Sequence, residues 1–391
     1  MKPRISKTLL PANSVSITTD PADERTMRAA LSLARRGLGI AWPNPAVGCI
    51  VVRGGAVVGR GWTQPGGRPH AETEALRRAG RKARGACAYV TLEPCNHQGV
   101  TPPCAQALLN AGISRLVGAC EDPDPRTAGG GYARLRKAGV NVVTGILRAE
   151  AQALNAGFVK RIRDGRPLIT LKTATTLDGR IAAKGGRSQW ITGPQARARG
   201  HLLRASHDAI MIGIGTALTD APALTCRIAG LESRSPVRIV VDTNLRLPPD
   251  SVLAMTAHAT PTWIVTVEGA AAKREALSAL GVKVIQVAAD SGGRPDLVAV
   301  MQALGARGIT RLLVEGGGAL AGALLGGDLI DRMAWFRADG VMGGDGVPAV
   351  AGYGTRGPDQ MARFTRTARI ALGCDSMEEF ERIRLSPCSP D

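Results

Sequence analysis

Aromatic residues are scarce. Phe, Trp and Tyr make up 3% of the 391 residues, which removes most of the stacking platform that holds single-stranded nucleic acids. No apolar run approaches a membrane span, so a membrane protein is not expected. The first twenty residues, MKPRISKTLLPANSVSITTD, hold only a short apolar stretch and no A-x-A-like site, which argues against a secretory leader. The eight cysteines are scattered along the chain. That excludes a dense disulfide framework and predicts reduced thiols in a cytoplasmic protein, with metal ligation the point to check. Long basic runs, low-complexity tracts and internal repeats are missing too, which leaves ordinary globular domains.

What is present agrees. Hydrophobic residues at 44% and charged residues at 21% are globular proportions, and the length suits two domains. Lys and Arg number 50 against 32 Asp and Glu, a formal charge of +18, which implies anionic partners. The charge is spread as single arginines, so a small phosphorylated ligand accounts for it as well as a polynucleotide does.

Asp20-Pro21 predicts a helix start, with Asp as N-cap and Pro at the first helical position. Helical apolar spacing then covers 24–36, and the runs 47–52 and 56–59, split by Gly54-Gly55, predict a hairpin. Helices over 71–81, 104–111 and 131–138 alternate with strands over 87–92, 115–120 and 140–144. Residues 150–167 turn polar and basic, and the domain boundary is placed there. A second alternation follows, with strands at 168–174, 208–213, 237–241, 262–267, 282–287 and 311–315 and helices at 194–205, 271–280 and 295–307. The reading is α/β throughout, with much parallel sheet. It divides into an N-terminal extension (1–20), a three-layer domain (21–165) and a second domain (166–391). The last thirty residues carry little signal.

Pro69-His70-Ala71-Glu72 is followed by Glu93-Pro94-Cys95 and, with eight residues intervening, by Cys104. One His and two Cys supply three ligands suited to zinc and leave a fourth position open, as in catalytic sites; structural sites are closed. Glu72, two residues past His70 at a helix start, is placed to take a proton from water and pass it to a leaving amine. Each residue alone reads as a buried thiol or a surface imidazole. In this order, His-x-Glu, Pro-Cys and Cys form the arrangement of zinc deaminases, whose Glu is the general acid/base and not a ligand. Glu74 shares a helix face with His70 and is expected to be a solvated charge. His97 is expected in the substrate pocket or ordering its loop, since a fourth ligand would block the chemistry. Cys49, Cys87, Cys120, Cys226, Cys374 and Cys388 read as core or surface thiols.

Nucleic-acid and nucleoside deaminases usually carry Pro-Cys-x-x-Cys. The longer loop here, Pro43-Asn44-Pro45-Ala46-Val47-Gly48-Cys49, and Asp122-Pro123-Asp124-Pro125 with Gly129 and Gly131 resemble the deaminase domain of RibD-type bifunctional riboflavin biosynthesis enzymes. The resemblance implies a cytidine-deaminase-like fold, Zn2+ on His70, Cys95 and Cys104, and catalysis by Glu72. The implied substrate is a diaminopyrimidinone bearing a ribosylamino 5-phosphate. Three positions depart from the family. Thr63 stands where a His is common, Val100 where a basic residue is usual, and Asp124 where Asn is usual. The ligands and Glu72 are kept, so these changes bear on affinity more than on chemistry.

In the second half, Leu313-Val314-Glu315-Gly316-Gly317-Gly318 reads as a strand, a glycine turn and a helix start, which presents backbone N–H groups to a phosphate. Alone, such a triplet is first of all a tight turn. Lys172, Arg204 and Arg227 are candidate anion binders. The segments Lys172-Thr173-Ala174, Ser188-Gln189-Trp190, Leu203-Arg204-Ala205, Gly215-Thr216, Asp220-Ala221-Pro222 and Leu224-Thr225-Cys226-Arg227 resemble, in order, the RibD reductase domain. That resemblance implies a dihydrofolate-reductase-like α/β fold, which accounts for the missing G-x-G-x-x-G fingerprint. It also implies Ser188, Arg204, Leu224, Arg227 and Glu315 on the phosphorylated substrate. Ala174, Trp190, Thr216, Asp220, Thr243, Gly317 and Gly318 would line the NADPH site. The proton donor to the sugar stands open between Lys172 and Asp220. The family's Asp-Asp-Pro keeps only its first acid, Asp220.

The expectation is a cytoplasmic homo-oligomer that takes Zn2+, NADPH and a phosphorylated pyrimidine, and neither nucleic acid nor membrane. It deaminates the base and then reduces the ribosyl chain to ribityl. The rivals are a zinc deaminase acting on nucleic acid, a zinc-stabilised binding protein using His97 as fourth ligand, and an enzyme keeping one activity of the two.

Overall fold

The computed structural model describes residues 20–383 apart from 99–101, 126, 189 and 268. The expectations for the 1–20 extension (save Asp20), Val100, Gln189 and Cys388 lie outside the described residues. Asp20 caps α1 (Pro21–Ala34), its carboxylate accepting from the Ala22 N–H at 2.8 Å. The buried stripe of α1, Met27, Ala30, Leu31 and Ala34, packs on β1 (Gly48–Arg53). Gly54 and Gly55, with φ of 56° and 78°, turn the chain into β2 (Ala56–Trp62). Positive φ at both central positions is what a two-residue hairpin turn demands and what glycine permits.

Alternation follows through α2 (Ala71–Ala79), β3 (Cys87–Val90), α3 (Cys104–Asn110), β4 (Arg115–Gly118), α4 (Gly130–Lys137) and β5 (Asn141–Thr144). The sheet order is β2-β1-β3-β4-β5, with β3, β4 and β5 parallel. Glycines set its thickness. A Cβ on Gly48 would strike the Ala30 carbonyl of α1, and one on Gly61 the Ala71 carbonyl of α2. Gly48 and Gly61 face opposite ways, since Gly61 pairs with Cys49, so the two helices cover opposite faces of the sheet.

The segment read as a polar boundary is helical, forming α5 (Arg148–Leu154) and α6 (Ala156–Asp164). Its charges mask a buried stripe of Ala151, Leu154, Gly157 and Phe158. α6 is wedged between the two halves. Just before it, the Asn155 amide accepts from Ala46 N at 2.9 Å and donates to Ala46 O at 3.0 Å. On its other side a Cβ on Gly157 would meet Thr310 O and Arg311 Cγ, and Lys160 Nζ lies 3.2 Å from Asp331.

The second sheet is built from β6 (Leu168–Thr175), followed by β7 (Arg180–Ala182), α7 (Pro194–Ala205), β8 (Ala209–Gly213), α8 (Ile214–Asp220), β9 (Val237–Val241), α9 (Val252–Met255), β10 (Thr262–Thr266), α10 (Ala271–Ala279), β11 (Lys283–Gln286), α11 (Leu297–Ala306), β12 (Arg311–Val314), α12 (Gly318–Gly326), β13 (Arg332–Arg337), β14 (Val347–Pro348), β15 (Phe364–Leu372) and β16 (Asp375–Arg382). Nine of these strands run in the order β11-β10-β9-β8-β12-β6-β13-β16-β15, while β7 and β14 pair as a separate ribbon. Both faces are buried. Met211 packs into one core with Val300, Leu304 and Leu324, whereas its neighbours Ile210 and Ile212 enter another with Leu253 and Leu277. That is why the central strands read as continuous apolar runs. The strands 332–337, 364–372 and 375–382, invisible to the periodicity argument, extend the sheet edge. β15 buries no residue and spells Phe-Thr-Arg-Thr-Ala-Arg, so no apolar face marks it.

The chain steps outward from β6 through β8, β9 and β10 to β11, then returns to lay β12 between β8 and β6. Such a reversal opens a crevice beyond the carboxyl ends of the strands. Behind it lies His207, whose Nδ1 is 2.7 Å from Leu203 O and whose Nε2 is 3.1 Å from Thr170 Oγ1. One neutral tautomer satisfies both contacts, and burial pushes the imidazole down to about 3. Below about pH 6.5 the unfolded chain takes up a proton that the folded chain refuses. The stabilisation is therefore complete above about pH 6.5 and is lost as pH falls toward 3. Urea midpoints should drop more steeply over pH 6.5–4.5 in the native chain than in His207→Gln; equal slopes would refute the assignment.

Candidate active sites

His70 ends an extended segment immediately before α2, Glu72 lies in that helix's first turn, Cys95 follows β3 in a loop, and Cys104 opens α3. The fold brings one nitrogen and two sulfurs together, all within 4.8 Å of one another. His70 Nδ1 lies 3.3 Å from Cys104 Sγ and 3.7 Å from Cys95 Sγ. A tetrahedral zinc with ordinary Zn–S and Zn–N bonds sets such ligands about 3.6 Å apart, so this donor set fits the ion. Asn44 Nδ2, which donates to Gly67 O, lies 3.5 Å from the other His70 nitrogen. Hydrogen bonds from Cys104 and His70 hold the Cys95 thiol down at about 4 against the effect of burial, the thiolate character a metal ligand requires.

Glu72 is 3% exposed, and burial pushes its carboxyl up to about 7 against the pull of His70. A carboxyl poised near neutrality can both take and return a proton. It lines a cavity of about 110 Å³ with His70, Cys95, Thr63, Phe158 and Arg161. Thr63 does not stand idle there, since its hydroxyl accepts from Val47 N at 2.9 Å. His97 also lines the cavity but stands outside the His70–Cys95–Cys104 cluster, with Nδ1 3.2 Å from Thr127 Oγ1. Glu74 differs from expectation. It is buried against β2 and paired with Arg77 at 3.1 Å and Arg78 at 3.4 Å, so it is not a solvated charge.

Glu93 is the residue the motif reading left without a role. Its buried carboxylate accepts from four backbone N–H groups, those of Asp122, Gly129, Gly131 and Tyr132, at 2.9–3.3 Å. It therefore ties the loop carrying Asp122-Pro123-Asp124-Pro125 and the start of α4 to the Cys95 loop. Gly131 is required by the same contact, because a Cβ there would strike the Pro94 carbonyl. In Glu93→Gln an amide NH2 would face backbone donors. We expect a loss of about 2–3 kcal/mol in unfolding free energy and weaker deaminase activity; unchanged thermal stability would refute this role.

The crevice of the second half holds a cavity of about 550 Å³ whose walls include Ala174, Ser188, Trp190, Thr216, Asp220 and Gly317. Gly318 and Glu315 line it as well. A smaller cavity of about 120 Å³ shares Lys172, Ala174, Trp190 and Glu315 with it and adds Arg204 and Arg227. α8 and α12 both begin at this crevice, and a Cβ on Gly318 would meet Pro348 O at 2.6 Å. The glycine turn before α12 borders this cavity, and a helix start of that kind presents backbone N–H groups to a phosphate. Trp190, 66% exposed, stands at the rim with the Arg197 guanidinium 4.6 Å from its ring.

Two expected residues are not among those lining either cavity. Leu224 is a core residue, 4% exposed with φ of 55°. Thr243 offers its carbonyl to the Thr266 hydroxyl at 2.8 Å. Arg204 lines the smaller cavity, but its fork faces inward. Nε and Nη2 donate to the two Glu315 oxygens at 2.8 and 2.9 Å, and Nη1 donates to Thr225 O at 3.0 Å. Its bidentate geometry is spent on a carboxylate and not left open for phosphate. Lys172 Nζ lies 3.5 Å from the same carboxylate.

Comparison with known proteins places these two halves. The RibD C-terminal domain family matches residues 167–376, and the cytidine and deoxycytidylate deaminase zinc-binding region matches residues 20–120. Riboflavin biosynthesis protein RibD of Escherichia coli is 44% identical over 83% of this chain and 89% of its own length. That of Actinobacillus pleuropneumoniae is 40% identical over 97% of this chain and 99% of its own. The solved structure of Acinetobacter baumannii RibD superposes with a TM-score of 0.83 at 35% identity, covering 93% of this chain and 99% of that one. A Thermotoga maritima diaminohydroxyphosphoribosylaminopyrimidine deaminase/5-amino-6-(5-phosphoribosylamino)uracil reductase superposes at 0.81 with 30% identity over the same shares. With both halves matched in order and at this identity, the chain belongs to the RibD family of bifunctional deaminase–reductases of riboflavin biosynthesis.

Proposed function

We propose that the chain performs two consecutive reactions in two cavities, divided at residues 165 and 166. The first is deamination of 2,5-diamino-6-(5-phosphoribosylamino)pyrimidin-4(3H)-one. The second is reduction of its ribosyl chain to ribityl. The buried Glu72 carboxyl two residues from a His–Cys–Cys ligand cluster carries the first assignment. His70, Cys95 and Cys104 would hold zinc, which when bound makes water a better nucleophile at neutral pH. Glu72 takes a proton as water adds to C2 of the ring. It returns that proton to the amino group, which leaves as ammonia.

NADPH, when bound in the second cavity, would supply the hydride that C1 of the ribosyl group accepts as its bond to the ring oxygen breaks. Ala174, Trp190, Thr216, Asp220, Gly317 and Gly318, which line that cavity, would hold it, and the glycine turn at a helix start suits a phosphate. Ser188, Arg227 and Lys172 face the phosphorylated substrate. Glu315 orients Lys172, which donates the proton to the sugar oxygen as the ring opens. Arg204 acts through Glu315, and Leu224 and Thr243 lie outside the residues lining the two cavities.

Scarce aromatics support a small-molecule substrate over nucleic acid, and no helix among the described residues is long and apolar enough to cross a membrane. We place the protein in the cytoplasm as a homo-oligomer; β15 at the sheet edge offers a second copy a strand to pair with. A paired assay tests the reading. Ammonia release should need no NADPH, and NADPH oxidation should follow only after deamination. Ammonia without NADPH loss would remove the reductase assignment, and no ammonia from zinc-loaded protein would remove the substrate.

A further inference from the structure

We infer that Arg161, on the helix linking the two halves, receives the 5-phosphate of the deaminase substrate, with Arg68, which lines the same cavity, as its partner. The inference rests on the proposed deaminase reaction and adds to it the group that selects a phosphorylated substrate.

The size of the cavity sets the problem. About 110 Å³ beside His70 and Glu72 is less than the roughly 150 Å³ of a cavity that holds benzene, so it has no room for a ring and a ribosyl phosphate together. The ribosyl phosphate must therefore extend past the rim. It carries a charge of about −1.5 to −2 at neutral pH, and the walls it passes are acidic, with Glu72, Glu93, Asp122 and Asp124 all lining the cavity. A dianion entering such a site needs cations close by, or repulsion would oppose binding. Arg68 and Arg161 are the two Lys or Arg side chains among the described residues lining this cavity.

They come from different elements. Arg68 lies two residues before His70 in the loop leading to α2. Arg161 rises from α6 on the face that also brings Phe158 and Ile162 to the cavity. Arg161 Nη2 reaches Pro43 O at 3.4 Å, which sets the guanidinium beside the segment whose Asn44 touches His70. It is half-buried, which strengthens a charged contact made there. A planar guanidinium also suits two phosphate oxygens at once.

The position has a second consequence. α6 is held on the reductase side by Gly157 against Thr310 and by Lys160 near Asp331. The phosphate contact of the first reaction thus sits on a helix that packs against the half performing the second.

The test uses the full-length, zinc-loaded chain and two substrates, the phosphorylated diaminopyrimidinone and its 5-dephosphorylated counterpart. The native chain should favour the phosphorylated compound. Arg161→Met should raise KM for it by about 10- to 100-fold, the range for a lost charged hydrogen bond. The same variant should leave kcat, and all constants for the dephosphorylated compound, within about threefold. Arg161→Lys should recover part of the preference, and Arg68→Met should reproduce a smaller version of the loss. If Arg161→Met damages both substrates equally, the residue is structural and the inference fails; it fails also if neither changes. No ammonia from the native chain with either substrate would instead overturn the deaminase reading itself.

Discussion

Glu72→Gln should abolish ammonia release while the protein keeps its zinc and still oxidises NADPH when given the deaminated intermediate. The carboxyl is 3% exposed and lines the cavity with His70 and Cys95. It can therefore hold the proton that moves from attacking water to departing ammonia. Glutamine fills the same space without carrying a proton, and loss of a positioned acid–base group costs about 10²- to 10⁴-fold. Because Glu72 lies outside the His70–Cys95–Cys104 donor set, metal content measured by elemental analysis should stay at one zinc per chain. Cys95→Ser, by contrast, should lower both metal content and activity. Loss of zinc from Glu72→Gln, or activity within tenfold of the native value, would sink the assignment.

Glu315→Ala should be the most damaging single change in the second cavity. Burial would raise this carboxyl, but Lys172 and Arg204 hold it well below the usual carboxylate range. Both Glu315 oxygens accept from the Arg204 fork, and Lys172 stands 3.5 Å away. Removing the carboxylate leaves two cations facing each other without their shared anion, in a place where breaking such a pair costs about 3–5 kcal/mol. Lys172 would swing from its position, and a misplacement of about 1 Å costs roughly 10²-fold in rate. We expect NADPH oxidation to fall by at least that factor, with a lower melting temperature and unchanged ammonia release. Reductase activity within a few-fold of native would show that Lys172 and Arg204 hold their places unaided.

The distances along the chain explain which features were legible beforehand. His70 and Glu72 belong to one helix start, and Cys95 and Cys104 to a loop and the helix that follows it, so the deaminase cluster is written into a stretch of 35 residues. The alternation of apolar runs located most strands and helices for the same local reason, because period and turn residues act over a few positions. The edge strands 364–372 and 375–382 were missed because neither alternates cleanly. The helices at 148–154 and 156–164 were hidden by the charges on their outer faces. Resemblance supplied Leu224 and Thr243, and packing put one in the core and spent the other's carbonyl on Thr266.

By itself, then, the sequence determined two α/β halves, the ligand set with its carboxyl, and the glycine turn after β12, all carried by neighbours a few residues apart. Tertiary structure alone decided that Arg204 spends its fork on Glu315 across 111 positions. It also decided that Glu93 fastens a loop about 36 residues away and that Arg161 reaches a cavity built by the preceding 120 residues. A buried charge takes whichever opposite charge or polar group the packing brings near, because leaving it alone costs too much. Local periodicity carries no record of that choice.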